Sequence, residues 1–69
     1  MATVKQSIGE VDVVSFNEAI GKWPAGTRGA VVIDYGEDKM VEIANERGEM
    51  LDLPIVHVDK LELISKHPI

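Results

Sequence analysis

Residues 26–44 read GTRGAVVIDYGEDKMVEIA and predict two strands joined by a tight turn. Ala30–Tyr35 is rich in β-branched side chains, which favour extended backbone. Gly36–Asp38 then supplies turn chemistry, and Met40–Ile43 resumes the strand pattern. The stretch therefore predicts an antiparallel β-hairpin, around which the rest of the chain is assigned.

The sequence after this hairpin predicts a second turn and a further strand. Asn45–Glu49 is a polar loop with a glycine, which suits two antiparallel strands, and it leads into a fourth run, Met50–Val56. Because Pro54 removes a ladder donor, we expect that strand to be an edge, to bend at the proline or to end just before it. His57–Lys60 predicts a single turn, and Leu61–Ile64 predicts a short last strand.

The sequence before the hairpin predicts one further strand. Val11–Phe16 has high β-propensity and is the first predicted strand. Ser15 and Glu18 have the spacing of a capping box, which predicts one short helical turn over Phe16–Ile20. Lys22–Gly29 is then a long connection into the hairpin.

Two residues of this connection have specific expected roles. Gly29 is expected to let the chain enter the second strand at a sharp angle. Trp23, the single tryptophan, either closes one end of the core or lies on the surface as a binding anchor. We favour the core, because so small a domain has few large side chains to spare.

Together these elements predict a mainly β fold, a small five-stranded SH3-like barrel with at most one short helical turn. The barrel covers residues 10–64, preceded by an N-terminal arm (1–9) and followed by a C-terminal tail (65–69). The alternative is an α+β fold in which Phe16–Ile20 grows into a longer helix.

Length and composition restrict the protein class. A chain of 69 residues has one core, and its lack of cysteine excludes a disulfide framework or thiolate metal site. No apolar stretch approaches the ~20 residues that span a bilayer, and the N-terminus lacks the apolar block of a signal peptide. We therefore expect a cytoplasmic protein without membrane association.

The charge balance argues against nucleic acid as a partner. Twelve acidic and seven basic side chains give a formal net charge of −5, which repels phosphate backbones. The basic residues are scattered singly, with no cluster that would follow a backbone. The alternative, a nucleic-acid or ribonucleoprotein accessory barrel, would have to bind through the loop Lys22–Arg28.

Catalytic and metal-binding patterns are weak. The candidate nucleophiles are Ser7, Ser15 and Ser65, with His57 or His67 as the base. None of these serines lies in the glycine-framed turn that typically presents a catalytic nucleophile. His57 and Asp59 point the same way in an extended chain, but two ligands do not make a metal site. We therefore expect no enzymatic activity, no metal and no cofactor.

Several motifs also resemble a family of short bacterial domains of unknown function. The resemblance covers roughly residues 10–64 and rests on Asp12–Val14, Pro24–Val32, Val41–Ile43, Asn45–Glu49 and Val58–Ile64. This pattern of motifs is also similar to that of SH3-like barrels, among them the translation-factor type with a glycine-valine second strand. It implies a stand-alone module, sometimes encoded near toxin-like proteins, with no catalytic residues. The sequence departs from the pattern at residues 53–57, where relatives more often lack a proline.

Acidic side chains at both hairpin tips suggest a rim on one side of the barrel. Such a rim, with Asp52 and Asp59 beyond it, would steer a basic protein partner, such as a toxin-like protein. The alternative is that these charges only keep a small domain in solution. The candidate partner-binding residues are Trp23, Tyr35, Glu37, Asp38, Met40, Glu46 and Glu49. A homo-oligomer formed through a strand edge is compatible with either alternative.

Overall fold

The structure is a computed structural model that describes residues 8–66, and it consists of antiparallel β-structure with one 3₁₀ turn. In chain order its elements are β1 (Val13–Phe16), β2 (Arg28–Asp34), β3 (Asp38–Ala44), β4 (Met50–Asp52), β5 (Ile55–His57), the 3₁₀ turn (Val58–Lys60) and β6 (Leu61–Ser65). The mainly β prediction is confirmed. The predicted arm up to Ser7 and the tail from His67 lie outside the described residues.

One six-stranded sheet runs in the order β4-β3-β2-β1-β6, with β5 also paired to β3. β4 and β5 lie along the same edge of β3 and are the two parts of the predicted fourth strand. The division falls at Pro54, whose carbonyl accepts from Val41 N at 2.9 Å but which has no N–H to return a bond. This division gives six strands where five were predicted. The pairings among residues 8–66 do not close the sheet, so closure into a barrel is not seen.

The predicted helical turn over Phe16–Ile20 is wrong. Phe16 N donates to Thr27 O at 2.9 Å, and Asn17 N donates to Lys60 O at 2.8 Å. Ile20 instead exchanges two backbone hydrogen bonds with Trp23, of 2.8 and 2.9 Å. Phe16 O, which would accept from Ile20 N in a helical turn, accepts instead from Gly26 N at 2.8 Å, so the capping-box spacing has no helix to cap.

The first strand begins two residues later than predicted. Val11 has φ of 61°, a left-handed conformation that β-branched residues rarely adopt, and its N–H donates to Val31 O at 2.6 Å. Extended pairing therefore starts only at Val13.

The core lies on one face of the sheet. It consists of Ile8, Val14, Phe16, Val31, Val41, Ile43, Val56 and Leu61. Gly29 supports this packing in a way that differs from the prediction: it lies within β2, and a Cβ there would be 2.6 Å from Val41 Cγ1 and 2.7 Å from Glu42 O. The glycine is needed because β2 and β3 approach closely, not because the chain turns.

Candidate partner-binding surface

An apolar row with a half-buried centre, Met40, and two exposed ends crosses three neighbouring strands on the face opposite the core. Lys39 and Val41 are buried, so the alternation of β3 directs Met40 to the other face. Met40 is paired with Ile33 of β2 and with Ile55 of β5. Directly opposed residues share a face, and Ile33 and Ile55 are 39% and 58% exposed. These three side chains therefore form a row that the core does not cover.

A second, more polar row lies beside the first. Asp38 is two residues before Met40 on β3 and is paired with His57 of β5. Tyr35, 54% exposed, donates its backbone N–H to Asp38 O at 2.9 Å across the turn between β2 and β3. We call the two rows the outer patch, which comprises Ile33, Tyr35, Asp38, Met40, Ile55 and His57.

Two further carboxylates lie at the polar end of the outer patch. Glu37 Oε2 is 3.6 Å from His57 Nε2, and Asp59 Oδ2 is 3.6 Å from His57 Nδ1. Val58 N donates to Glu37 O at 2.7 Å, which attaches the β2–β3 turn to the 3₁₀ turn. The outer patch is therefore apolar at one end and acidic at the other.

An ion pair between a buried lysine and a partly exposed aspartate holds the β2–β3 hairpin beside this surface. The Lys39 ammonium is 2.5 Å from Asp34 Oδ1, and the Lys39 side chain is only 5% exposed. Asp34 also accepts from Gly36 N at 2.8 Å. The bond from Lys39, and then that from Gly36, lowers the pKa of Asp34 below its ordinary value of 3.8.

The candidate residues of the β3–β4 loop lie elsewhere. Glu46 and Glu49 follow the end of β3, whereas Glu37 and Asp38 lie at its start. A strand of seven residues separates the two groups by about 20 Å. Glu46 and Glu49 therefore lie outside the outer patch, because an antiparallel strand sends its two turns to opposite ends; the single acidic rim stays a prediction.

Trp23 packs against the core and is not part of the outer patch. Its ring remains partly exposed, and its Nε1 donates to Asp52 Oδ2 at 2.7 Å. This bond, with one from Leu53 N, lowers the pKa of Asp52 below 3.8. Lys22 Nζ lies 5.3 Å from the centre of the ring. Trp23 thus attaches the long first connection to β4.

Residues 8–66 contain no assembled catalytic or metal-binding site among the candidates from the sequence. Ser15 is buried in β1, while Ser7 and His67 lie outside the described part of the chain. His57 Nδ1 accepts a hydrogen bond from Asp59 N at 3.1 Å, and no group of three or more histidine or carboxylate side chains in this part is placed to hold a metal ion. None of its helical segments has the length and apolarity to cross a bilayer.

The sequence had indicated half of the outer patch. Tyr35, Asp38 and Met40 were predicted as binding residues, but Ile33, Ile55 and His57 were not. The sequence carries no signal for Ile33, because it lies two residues after buried Val31 and alternation would place it in the core; a register shift between Val31 and Ile33 pairs it with Met40 instead. Ile55 and His57 depend on the return of β5 to β3, which no local pattern specifies.

Comparison with known proteins identifies no relative: no family model, no curated protein and no solved structure matches this chain. The resemblance to short bacterial domains stays a prediction.

Proposed function

We propose that this protein is a non-enzymatic binding domain that docks on a protein partner through the outer patch. The observation that carries the proposal is the row of Ile33, Met40 and Ile55, which joins three strands on the face away from the core. Contiguous exposed apolar surface with a polar border is characteristic of protein interaction sites.

The charge of the domain indicates the chemistry of this partner. The chain has a formal net charge of −5, and Glu37, Asp38 and Asp59 lie together at one end of the outer patch. A protein with basic side chains beside an apolar contact would be attracted and oriented by these groups. A basic, toxin-like protein that this domain neutralises or regulates fits that description.

The fold that we propose for this binding domain is an open form of the SH3-like small barrel. The long connection between β1 and β2, the two hairpins, the 3₁₀ turn before β6 and the pairing of β6 with β1 support it. Such small β-domains serve many functions, so the fold alone carries no function.

The nucleic-acid alternative has weaker support. Lys39 and Lys66 pair with Asp34 and Asp12 at 2.5 and 2.8 Å, and Lys60 lies 3.9 Å from Glu18. These acids offset cations that phosphates would otherwise engage. A salt-sensitive shift of single-stranded or duplex nucleic acid at micromolar protein would favour this alternative.

The proposal is tested by capture from an extract of the cells that make the protein. The tagged parent is compared with Ile55→Asp, which places a charge in the apolar row, and with Ile64→Asp, the same change at an exposed isoleucine of β6 on the opposite sheet edge. We expect parent and Ile64→Asp to retain the same protein, and Ile55→Asp to bind it at least about tenfold more weakly. Equal retention by all three, or retention of no protein, would contradict the proposal.

A further inference from the structure

The free edge of β5 is the one part of the outer patch that also offers backbone hydrogen-bonding groups. Pro54 O accepts from Val41 N, and Val58 N donates to Glu37 O. Backbone groups alternate sides along an antiparallel strand, so those of Ile55 and His57 point away from β3. Among residues 8–66, β5 pairs with no other strand.

Pro54 does not block this edge. It lies at a position whose backbone groups face β3, so its missing N–H is lost from the β3 side. Leu53 N, on the outer side, is already bound by Asp52 Oδ1 at 2.9 Å. The groups that this edge offers beside the apolar row are therefore the N–H and C=O of Ile55 and the N–H of His57, because the His57 carbonyl begins the 3₁₀ turn.

Charge distinguishes between possible occupants of the edge. Two copies of the chain each carry a formal net charge of −5, which opposes the pairing of one β5 with another. A segment with basic side chains would instead be attracted to the C-terminal end of β5, where Glu37 and Asp59 lie beside His57.

We propose that β5 binds an extended segment of a basic partner by strand addition, with main-chain hydrogen bonds to Ile55 and His57. Apolar side chains of the segment cover Ile55, and its lysine or arginine side chains face Glu37 and Asp59. This inference rests on the proposed function and specifies the partner's conformation and charge.

The test uses three synthetic peptides of seven residues and the intact, isotope-labelled protein. Ac-KVKVKVK-NH₂ is the probe, Ac-EVEVEVE-NH₂ reverses its charge, and a third peptide repeats the probe with its three central amides N-methylated. Amide chemical shifts and hydrogen exchange are followed by NMR during each titration. The methylated peptide keeps charge and apolar side chains but cannot pair with a strand.

We expect the probe to shift the amides of Ile55 and His57 and to slow their exchange, with affinity that falls as salt is raised. N-methylation should weaken binding about tenfold or more, and the acidic peptide should bind more weakly still. In Ile55→Asp the shifts should weaken, whereas Ile64→Asp should behave as the parent.

Three outcomes would overturn strand addition. Equal binding of the methylated peptide would show docking on the outer patch without backbone pairing, which leaves the proposed function intact. Absence of any response at Ile55 and His57 would exclude a basic extended segment, while capture from extract would still judge the proposed function separately. A concentration-dependent dimer that Ile55→Asp abolishes would assign the edge to a second copy of the chain.

Discussion

The two acidic turns at the ends of β3 look alike in sequence but lie in different surroundings. The β3–β4 loop is held by its own Asn45, whose Oδ1 accepts from Arg47 N and Glu49 N at 2.9 and 3.0 Å. The β2–β3 turn has similar local bonds through Asp34, but it also makes long-range contacts to β5 and the 3₁₀ turn and adjoins exposed apolar side chains. Acidic composition therefore does not identify a binding surface until the neighbouring strands are known.

The largest expected effect comes from a methyl group added at Gly29. A Cβ there meets Val41 Cγ1 and Glu42 O at 2.6 and 2.7 Å, so Gly29→Ala must separate the β2 and β3 strands that carry the outer patch. We expect the free energy of unfolding to fall by about 2 to 3 kcal/mol in urea denaturation.

The matched control for this change lies in the β3–β4 loop. Gly48 has φ of 82° and open space around it, so Gly48→Ala introduces only backbone strain, about 1 kcal/mol. A Gly48→Ala variant less stable than Gly29→Ala would show that the close approach of β2 and β3 is not what limits the fold.

A smaller effect is expected from the Lys39–Asp34 pair, and it should be asymmetric. Asp34→Ala leaves the buried ammonium of Lys39 without its carboxylate, whereas Lys39→Met leaves a carboxylate that is 36% exposed and can be solvated. We expect Lys39→Met to remain within about 1 kcal/mol of the parent in thermal denaturation and Asp34→Ala to be clearly less stable. Equal losses would mean that burial of Lys39 does not determine the cost.

The smallest effect concerns stability in acid. The carboxyl groups with a lowered pKa are Asp34, in the β2–β3 hairpin, and Asp52, in β4. The pKa values of Asp34 and Asp52 lie below 3.8, so the stability that they contribute is present above that pH and is lost as pH falls through their lowered pKa values. Trp23→Phe removes the main cause at Asp52, so its pKa should rise towards 3.8. That of Asp34 should not change, since its main partner is Lys39. Carboxyl titration by NMR checks both midpoints, and a joint shift would contradict their independence.

The β-hairpin at residues 26–44 could be predicted because β-branched runs and a glycine turn act locally. The division of the fourth strand at Pro54 was among the predicted alternatives for the same reason. The error at Phe16–Ile20 has the opposite origin: the local capping pattern was real, but Gly26 and Trp23 bind the Phe16 carbonyl and the Ile20 N–H that a helical turn would join. Composition also does not say which acidic loop adjoins exposed apolar side chains, so the prediction grouped Glu46 and Glu49 with Glu37 and Asp38.

Local chemistry in the chain was sufficient to specify the β class, most strand positions, the turn before β6 and the acidic character of the surface. The outer patch required the folded chain, because Ile55 and His57 come beside Met40 and Asp38 only when β5 returns to β3. Trp23 likewise finds Asp52 only through folding. Strand alternation is encoded residue by residue, but the partner of each strand depends on which long-range pairing buries the most apolar surface.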